Sequence, residues 1–510
     1  MSVKAVSVTA GMLVIFSIVG YFVAGALIRK KVDAALRALP PSVQITYASL
    51  HSNVFTGSLV LDGLHIRVSQ GAHAHEINIG RVSLRGIRWW SLLKSHRLLM
   101  LSLRMEGCTV SLDDYLLKKD ISFAGPEPPF SDALIERVEC ADLTATTSGK
   151  VLRMAGSFEL DSMGGSIGNF RIGGVRFLIG HAQYAVPGTD ETVFLTNMEL
   201  DSKKRFFRLD TLRVIPSIDK IAIGRSKGHQ VDVVEATSEG ITAEGLDVMG
   251  LREHMLTADK ITIRRNHIYV FRDRRLPLEA GEKALPMESL KAMSLRLRVK
   301  KVAFGPTTFS YEEFPKKGDK TGTLKIYRLT GTLEPLINRP VAGDPAYITF
   351  STEGSLMNSG SVTATTRMPL HKGDAYEVEG AFHELDVTKL NDPAENLGGL
   401  HLESGLLNSL AFRFDMNEEK ATGKIVGEYH GLVVDKLKGA SDDKKVDKLK
   451  SFALKKFIIP RDKDKSLPEK KRTGKVDYKR DPQRYFSYYL LHSLLVGVKG
   501  SFSLGFLLPG

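Results

Sequence analysis

His73, His75 and Glu76, in the run HAHE, could converge on one metal ion, because imidazole and carboxylate are ordinary metal ligands. Two histidines in a polar loop still need further ligands, so no metal is expected here. Asp113-Asp114 and Glu312-Glu313 offer carboxylates of the kind used for general acid and base catalysis. Neighbours along a strand point to opposite faces, so neither pair forms an acid/base couple by itself. Gly164, Gly165 and Gly168, in GGSIG, lack the spacing and the strand-to-helix setting of a dinucleotide loop and read as a flexible turn. The phosphate loop G-x-x-x-x-G-K and the zinc motif H-E-x-x-H are missing from the sequence. Cys108 and Cys140 make neither a disulfide framework nor a zinc site. They could pair in an oxidising compartment or stay as two buried small hydrophobes, and buried thiols are the favoured reading. No catalytic residue, cofactor or enzymatic activity is expected, and function must be sought in architecture and surface.

The elements that position these residues are strands. LHIRV (Leu64 to Val68), EINIGRVSL (Glu76 to Leu84), LSLRM (Leu101 to Met105) and KITIRR (Lys260 to Arg265) alternate apolar with polar residues. LRLRV (Leu295 to Val299), YEVEGAF (Tyr376 to Phe382) and LAFRFDM (Leu410 to Met416) do the same. A period of two buries one face and wets the other, which predicts antiparallel sheets from about residue 42 to 435. Asp62-Gly63, Glu106-Gly107, Ser359-Gly360 and Lys372-Gly373 read as turns between strands. Ile87 to His96 and Val248 to Leu256 read as short helical connectors, and the two neighbourhoods form a loose internal repeat.

Residues 5–28 carry no charge, with Lys4 before them and Arg29, Lys30 and Lys31 after. As a helix this run covers roughly 36 Å, enough to cross a hydrocarbon core of about 30 Å. Ala5, Leu13, Phe16, Tyr21 and Ile28 mark the expected membrane anchor. Ala24-Gly25-Ala26 gives the run a rival reading as a cleavable signal, but it is longer than a typical signal core of about 7–15 residues. Arg29 to Lys31 taken alone would hold the body in the cytoplasm, although long domains translocate largely regardless of such bias.

The formal net charge is +13, and residues 435–484 hold 18 Lys or Arg against 9 Asp or Glu, a local +9. A body that is nearly neutral outside this stretch argues against nucleic-acid binding. The Lys-rich stretch reads as a solvated linker punctuated by Pro460, Pro468 and Pro482, or else as a surface drawn to anionic lipid headgroups. Asp481-Pro482 signals a helix start, after which Phe486, Tyr489, Leu490, Leu494 and Val498 recur at three- and four-residue spacing. This amphipathic helix can pack across the end of the β body, lie in a membrane interface or meet a partner.

Several phrases resemble one family. The anchor followed by YASLHSNVFTGSLVLDGLHIRV (Tyr47 to Val68), the RWWSLL connector and LLMLSLRMEGCTVSL (Leu98 to Leu112) is similar to the opening of AsmA-like proteins. LRLRVKKVAFGPTTFSYEEFP (Leu295 to Pro315) resembles that family's recurring strand pair. HLESGLLNSLAFRFDMNEEKATGKIVGEYHGLVVDKL (His401 to Leu437) resembles its carboxy-terminal repeat. The resemblance implies an envelope protein of diderm bacteria, held in the inner membrane with its body in the periplasm. It further implies a mainly β fold, an elongated twisted antiparallel sheet forming an open groove, whose apolar side handles phospholipid or another acyl lipid. Leu295, Leu297, Val299, Phe412 and Phe414 are the candidate groove-lining residues. In a closed sandwich the same apolar face would be ordinary core. The implied organisation is an anchor (1–31), a first β segment (32–270), a linker (271–294), a second β segment (295–437), the Lys-rich linker (438–481) and a terminal helix (482–510). The alternative is a structural or assembly scaffold that meets an envelope protein through the terminal helix.

Overall fold

The computed structural model describes residues 42–502 apart from 54–55, 71–72, 114–131, 148–151, 167–168, 187, 438–445, 448–450 and 452–458. The expected anchor at residues 5–28 and the tail beyond Phe502 lie outside the described residues. Among the described residues, no helix is long and apolar enough to cross a membrane. The chain is mainly β with few helices and divides into two compact units, Met1–Leu212 with Glu244–His254 and Arg213–Ala243 with Met255–Gly510.

In the first unit the strands are β1 (Val43–Thr46), β2 (Ser49–Asn53), β3 (Ser58–Gln70), β4 (His73–Arg85) and β5 (Arg97–Leu112). They continue with β6 (Asp132–Thr147), β7 (Leu152–Ser166), β8 (Asn169–Ala185), β9 (Glu191–Asp201) and β10 (Phe206–Pro216), the last of which belongs to this unit as far as Leu212. β1 and β2 both pair with β3, and successive antiparallel pairings run from β3 to β5 and from β6 to β9. Between them, β5 and β6 are parallel, with Arg97 opposite Asp132 and Leu112 opposite Thr147. The expected connector is helix α1 (Trp89–Ser95), closed by His96 in the left-handed conformation. Alternation along β3 to β6 buries Leu59, Ile66, Leu84, Leu103, Ile135 and Val138 completely or nearly so. These make one core with Cys108 and Cys140, both free thiols. The two cysteines share a hydrogen bond and burial, which together push the Cys140 thiol far above its usual range.

The second unit contains α2 (Lys220–Lys227), β11 (Asp232–Glu244), β12 (Met255–Asp273), α3 (Pro286–Ala292), β13 (Arg296–Phe314), β14 (Gly322–Glu334) and the short β15 (Leu336–Ile337). It continues with β16 (Tyr347–Leu356), β17 (Gly360–Pro369), β18 (Tyr376–Asp386), α4 (Asn391–Gly398), β19 (Leu400–Met416), β20 (Lys420–Lys436), β21 (Thr473–Lys479) and α5 (Phe486–Ser501). β12 and β13 are parallel, and from β13 onward the pairing is antiparallel through β14, β16, β17, β18, β19 and β20 to β21. The expectation of a purely antiparallel sheet is therefore corrected to a mixed one. Parallel neighbours need a return connection of a dozen or more residues, and the stretches after Leu112 and Asp273 supply it.

Six of the seven alternating segments lie wholly in strands, and the seventh, Leu295 to Val299, does so from Arg296 onward. The short 3-10 turn Met249–Glu253 stands where the second connector was expected. Ser359-Gly360 and Lys372-Gly373 are turns, but Asp62-Gly63 and Glu106-Gly107 sit inside β3 and β5. Gly63 and Gly107 have φ of 61° and 63°, so each provides a left-handed kink inside a strand whose cross-strand register stays unbroken, rather than a chain reversal. The stretch expected to be a solvated linker departs most. TGKVDYK at Thr473–Lys479 is the strand β21, with Val476 fully buried and Lys475 and Asp477 outside. Its two-residue alternation is masked in a charge count. Residues 271–294 likewise carry the end of β12 and all of α3.

Candidate functional site: uncovered apolar sheet faces

Residues paired directly across strands share a face, so the register traces what each face presents. In the first unit Met105 on β5 pairs with Cys140, Cys140 with Phe158, Phe158 with Phe177, and Phe177 with Leu200 on β9. This row is apolar throughout. Its first two members are buried in the core, whereas Phe158, Phe177 and Leu200 are partly exposed. The Phe158 and Phe177 rings are 6.0 Å apart at their centres. The reverse face of the same strands carries Arg104, Glu139, Glu159, Arg176 and Asp201 in register. Ion pairs lace it together: Arg137 with Glu159 at 3.0 Å, Arg176 with Glu199 at 2.9 Å and Lys203 with Asp161 at 2.7 Å. One side is thus built for water and the other continues an apolar core beyond the atoms that cover it.

The second unit repeats this. Val302 on β13 pairs with Leu333, Leu333 with Phe350, Phe350 with Thr366, Thr366 with Val378, and Val378 with Phe414. Val378 and Phe414 are buried at 3% and 1% exposure, while Val302, Leu333 and Phe350 remain partly exposed. Phe304 and Phe350 have ring centres 6.1 Å apart. Phe304 lies over Gly331, where a Cβ would stand 2.7 Å from the ring, so glycine there lets the ring lie flat on the sheet.

The five expected groove residues do not gather on one face. Phe412 and Phe414 share the face of Val302 and Phe304, through the register above and through Phe412 opposite Gly380. Leu297 and Val299 sit at odd positions of β13, whose register from Arg298 to Val302 is unbroken, so they point to the reverse face. Both are buried, at 8% and 1% exposure, with Val299 opposite Ala258. Leu295 precedes β13, and its carbonyl accepts from Asn338 Nδ2 at 2.7 Å. The five expected helix residues do act together. Tyr489 is 1% exposed, and Phe486, Leu490, Leu494 and Val498 pack on the core that contains Phe414 and Val476. The helix begins at Phe486 rather than at Pro482, because Asp481 and Pro482 form a turn in which the Asp481 carboxylate accepts from the Gln483 backbone N–H at 3.0 Å.

Polar groups cluster where β12 and β13 end. Lys220 Nζ lies 2.9 Å from Glu312 and also donates to the Tyr269 hydroxyl, which in turn donates to Glu312. Burial and the Glu312 carboxylate push Tyr269 up to about 12, and the Tyr269 and Glu312 partners raise Lys220 despite its burial. Both shifts run opposite to those of a proton-transfer base, whose pKa is brought toward neutrality. On the reverse face Arg272, 5% exposed, makes a double hydrogen bond to Asp232 with both distances 2.6 Å. Arg274 pairs with Glu313 at 3.0 Å, and Tyr311 donates to the other Glu313 oxygen at 2.8 Å. Glu312 and Glu313 therefore serve different faces, as strand alternation requires. HAHE is not a loop but the start of β4, with His73 Nδ1 3.1 Å from Asp113 and His75 Nδ1 accepting the Asp113 backbone N–H at 2.9 Å. Among the described residues no three metal-ligating side chains converge.

Neither a protein-family model nor a curated protein matches this chain. FEL at Phe158 alternates as the expected strands do, whereas VRFLIG at Val175 and TVFLTNMEL at Thr192 break the period with three consecutive apolar residues each, so local pattern does not set this face apart.

Proposed function

We propose that this is an AsmA-like protein of the bacterial envelope, anchored in the inner membrane by residues 5–28 with its body in the periplasm. It shields acyl lipid on an apolar β groove and moves it between membranes without chemical transformation. The observation that carries this reading is the row Cys140, Phe158, Phe177, Leu200, which leaves the covered core and stays apolar where it is only partly covered among the described residues, with an ion-paired face behind it. Each methylene shielded there contributes about 0.8 kcal/mol, so one acyl chain supplies ample affinity without a polar anchor. Val302, Leu333, Phe350 and Phe304 support the same reading in the second unit. The alternative scaffold role through the terminal helix has less support, since the apolar stripe of α5 already packs on the protein's own sheet.

Mass spectrometry of lipids that copurify with the full chain tests the proposal. The wild type is expected to retain phospholipid, and Phe158→Asp with Phe177→Asp to lower its occupancy at least fivefold. Glu159→Gln, on the reverse face, is expected to change nothing. A lipid-free wild type, or occupancy indifferent to the aspartates, would refute the groove. Loss of a protein contact on removal of residues 484–510, with lipid unaffected, would favour the scaffold.

A further inference from the structure

The residues from Arg85 to Leu101 combine the most exposed large apolar side chain among the described residues with a concentrated positive charge. Trp90, on the outer side of α1, is 74% exposed, and Lys94 Nζ stands 6.0 Å from its ring. Its neighbour Trp89 packs instead against the core of the first unit. Arg85, Arg88, Lys94 and Arg97 fall within this stretch, which contains no acidic residue. Arg97 is held by Asp132 at 3.1 Å, whereas Arg85, Arg88 and Lys94 are exposed and form no ion pair among the described residues. Leu101, 49% exposed, lies against Gly86, and Leu134, 43% exposed, flanks Leu99 across the β5–β6 pair.

We infer that α1 and the adjoining strand ends form a docking surface for an anionic membrane. Tryptophan has an apolar body and one polar N–H, the combination that settles at the boundary between headgroups and acyl chains. The three unpaired cations match the charge of anionic headgroups and contribute about 1 kcal/mol each close to such a surface. A hydrophobic partner protein would fit the leucines but would leave these cations desolvated, and charge complementarity therefore selects the lipid surface. This role is separate from holding an acyl chain on the sheet and stands or falls independently of it.

The chain has only two tryptophans, Trp89 and Trp90, so its intrinsic fluorescence reports directly on this site. The full chain, carried in nanodiscs of zwitterionic lipid, is titrated with vesicles of phosphatidylglycerol and acyl-brominated phosphatidylcholine. Bromine quenches an indole that enters the interface, and at least a twofold loss of emission is expected. Vesicles of brominated phosphatidylcholine alone should quench far less. Neutralising Arg85, Arg88 and Lys94 together as glutamine should weaken the response about 100-fold in vesicle concentration, the equivalent of three such contributions. Trp90→Phe should abolish it while Trp89 still emits, and unchanged circular dichroism of both variants keeps the comparison valid. No quenching by anionic vesicles, equal quenching by zwitterionic ones, or an undiminished response in the triple variant would overturn the inference. So would emission that responds to a single-stranded oligonucleotide and not to vesicles.

Discussion

Gly474 on β21 and α5 approach so closely that a single methyl group should separate them. A Cβ at Gly474 would lie 1.8 Å from the carbonyl oxygen of Gly497 and 2.4 Å from the backbone nitrogen of Ser501. Both opposing atoms belong to the helix backbone and cannot rotate away. Restoring ordinary contact in Gly474→Ala requires α5 to retreat by about 1.5 Å, since non-bonded atoms settle near 3.5 Å. That retreat loosens Tyr489, whose ring lies 6.1 Å from Tyr478, and Phe502, stacked on Tyr429 at 4.6 Å. Overpacking alone costs about 1–3 kcal/mol, and partial exposure of two aromatics adds about 1–2 kcal/mol. The expected loss for α5 docking is therefore about 2–5 kcal/mol, which raises opening-limited amide exchange in residues 486–502 by roughly 30-fold or more. Hydrogen exchange read by mass spectrometry on the full chain checks this. Gly497→Ala should cost less, because the atoms nearest its Cβ belong to the Ile425 and Val476 side chains, at 2.7 and 2.9 Å, rather than to backbone. Gly180→Ala, whose Cβ has one neighbour at 3.9 Å, serves as the unperturbed control. If Gly474→Ala leaves exchange in α5 within threefold of the wild type, the backbone contact does not hold the helix and the reasoning fails.

Three further outcomes are expected. His492 is stacked on Tyr488 at 3.8 Å and Tyr478 at 5.8 Å, and burial with the nearby Arg274, Lys499 and Arg484 cations holds its pKa down to about 4. The unfolded chain takes this proton near pH 6.5 and the folded chain only near pH 4, so docking of α5 is strongest above pH 6.5 and weakens steadily as pH falls to 4. His492→Phe should flatten that slope in an exchange-versus-pH series, and an unchanged slope would remove His492 as its source. Arg272→Met leaves Asp232 without its guanidinium and should destabilise the second unit by about 3–5 kcal/mol in urea denaturation, whereas Arg272→Met with Asp232→Leu should recover most of it. Asn338, fully buried, donates to the Leu290 and Leu295 carbonyls and accepts from the Leu297 N–H. Asn338→Ala strands those groups and should cost about 2–4 kcal/mol, read as faster exchange across 286–297.

Strand existence was legible because Leu64 to Val68 or Leu410 to Met416 shows a bare period of two. Strand direction was not, since Leu98 to Met105 reads the same whether its neighbour runs with it or against it. Gly63 and Gly107 read as turns because glycine after an acidic residue suits any positive-φ need, and only the unbroken cross-strand register places them inside strands. Val476 within TGKVDYK was hidden by the charge around it. The stripe of α5 was readable from spacing, but spacing left open whether it meets the β body, a membrane interface or a partner, and the packing on Phe414 and Val476 comes from the structure. Which apolar faces stay uncovered could not be read, because Val299 and Phe350 have the same alternating neighbours. Their difference lies in which long-range neighbours exist, a property of register rather than of local pattern.

The two parallel pairings set a timetable for a chain emerging from the ribosome. Every antiparallel strand from β6 to β9 and from β14 to β20 can close on a predecessor that is already made, as a hairpin does. β5 and β12 instead wait with one bare edge until residues 113–131 or 274–295 have passed. At about 5–20 residues per second that delay lasts a second or more, long enough for an open edge carrying Leu98 to Met105 to find another chain. Conditions that slow translation through these two stretches should therefore provoke aggregation more than slowing anywhere else in the β body.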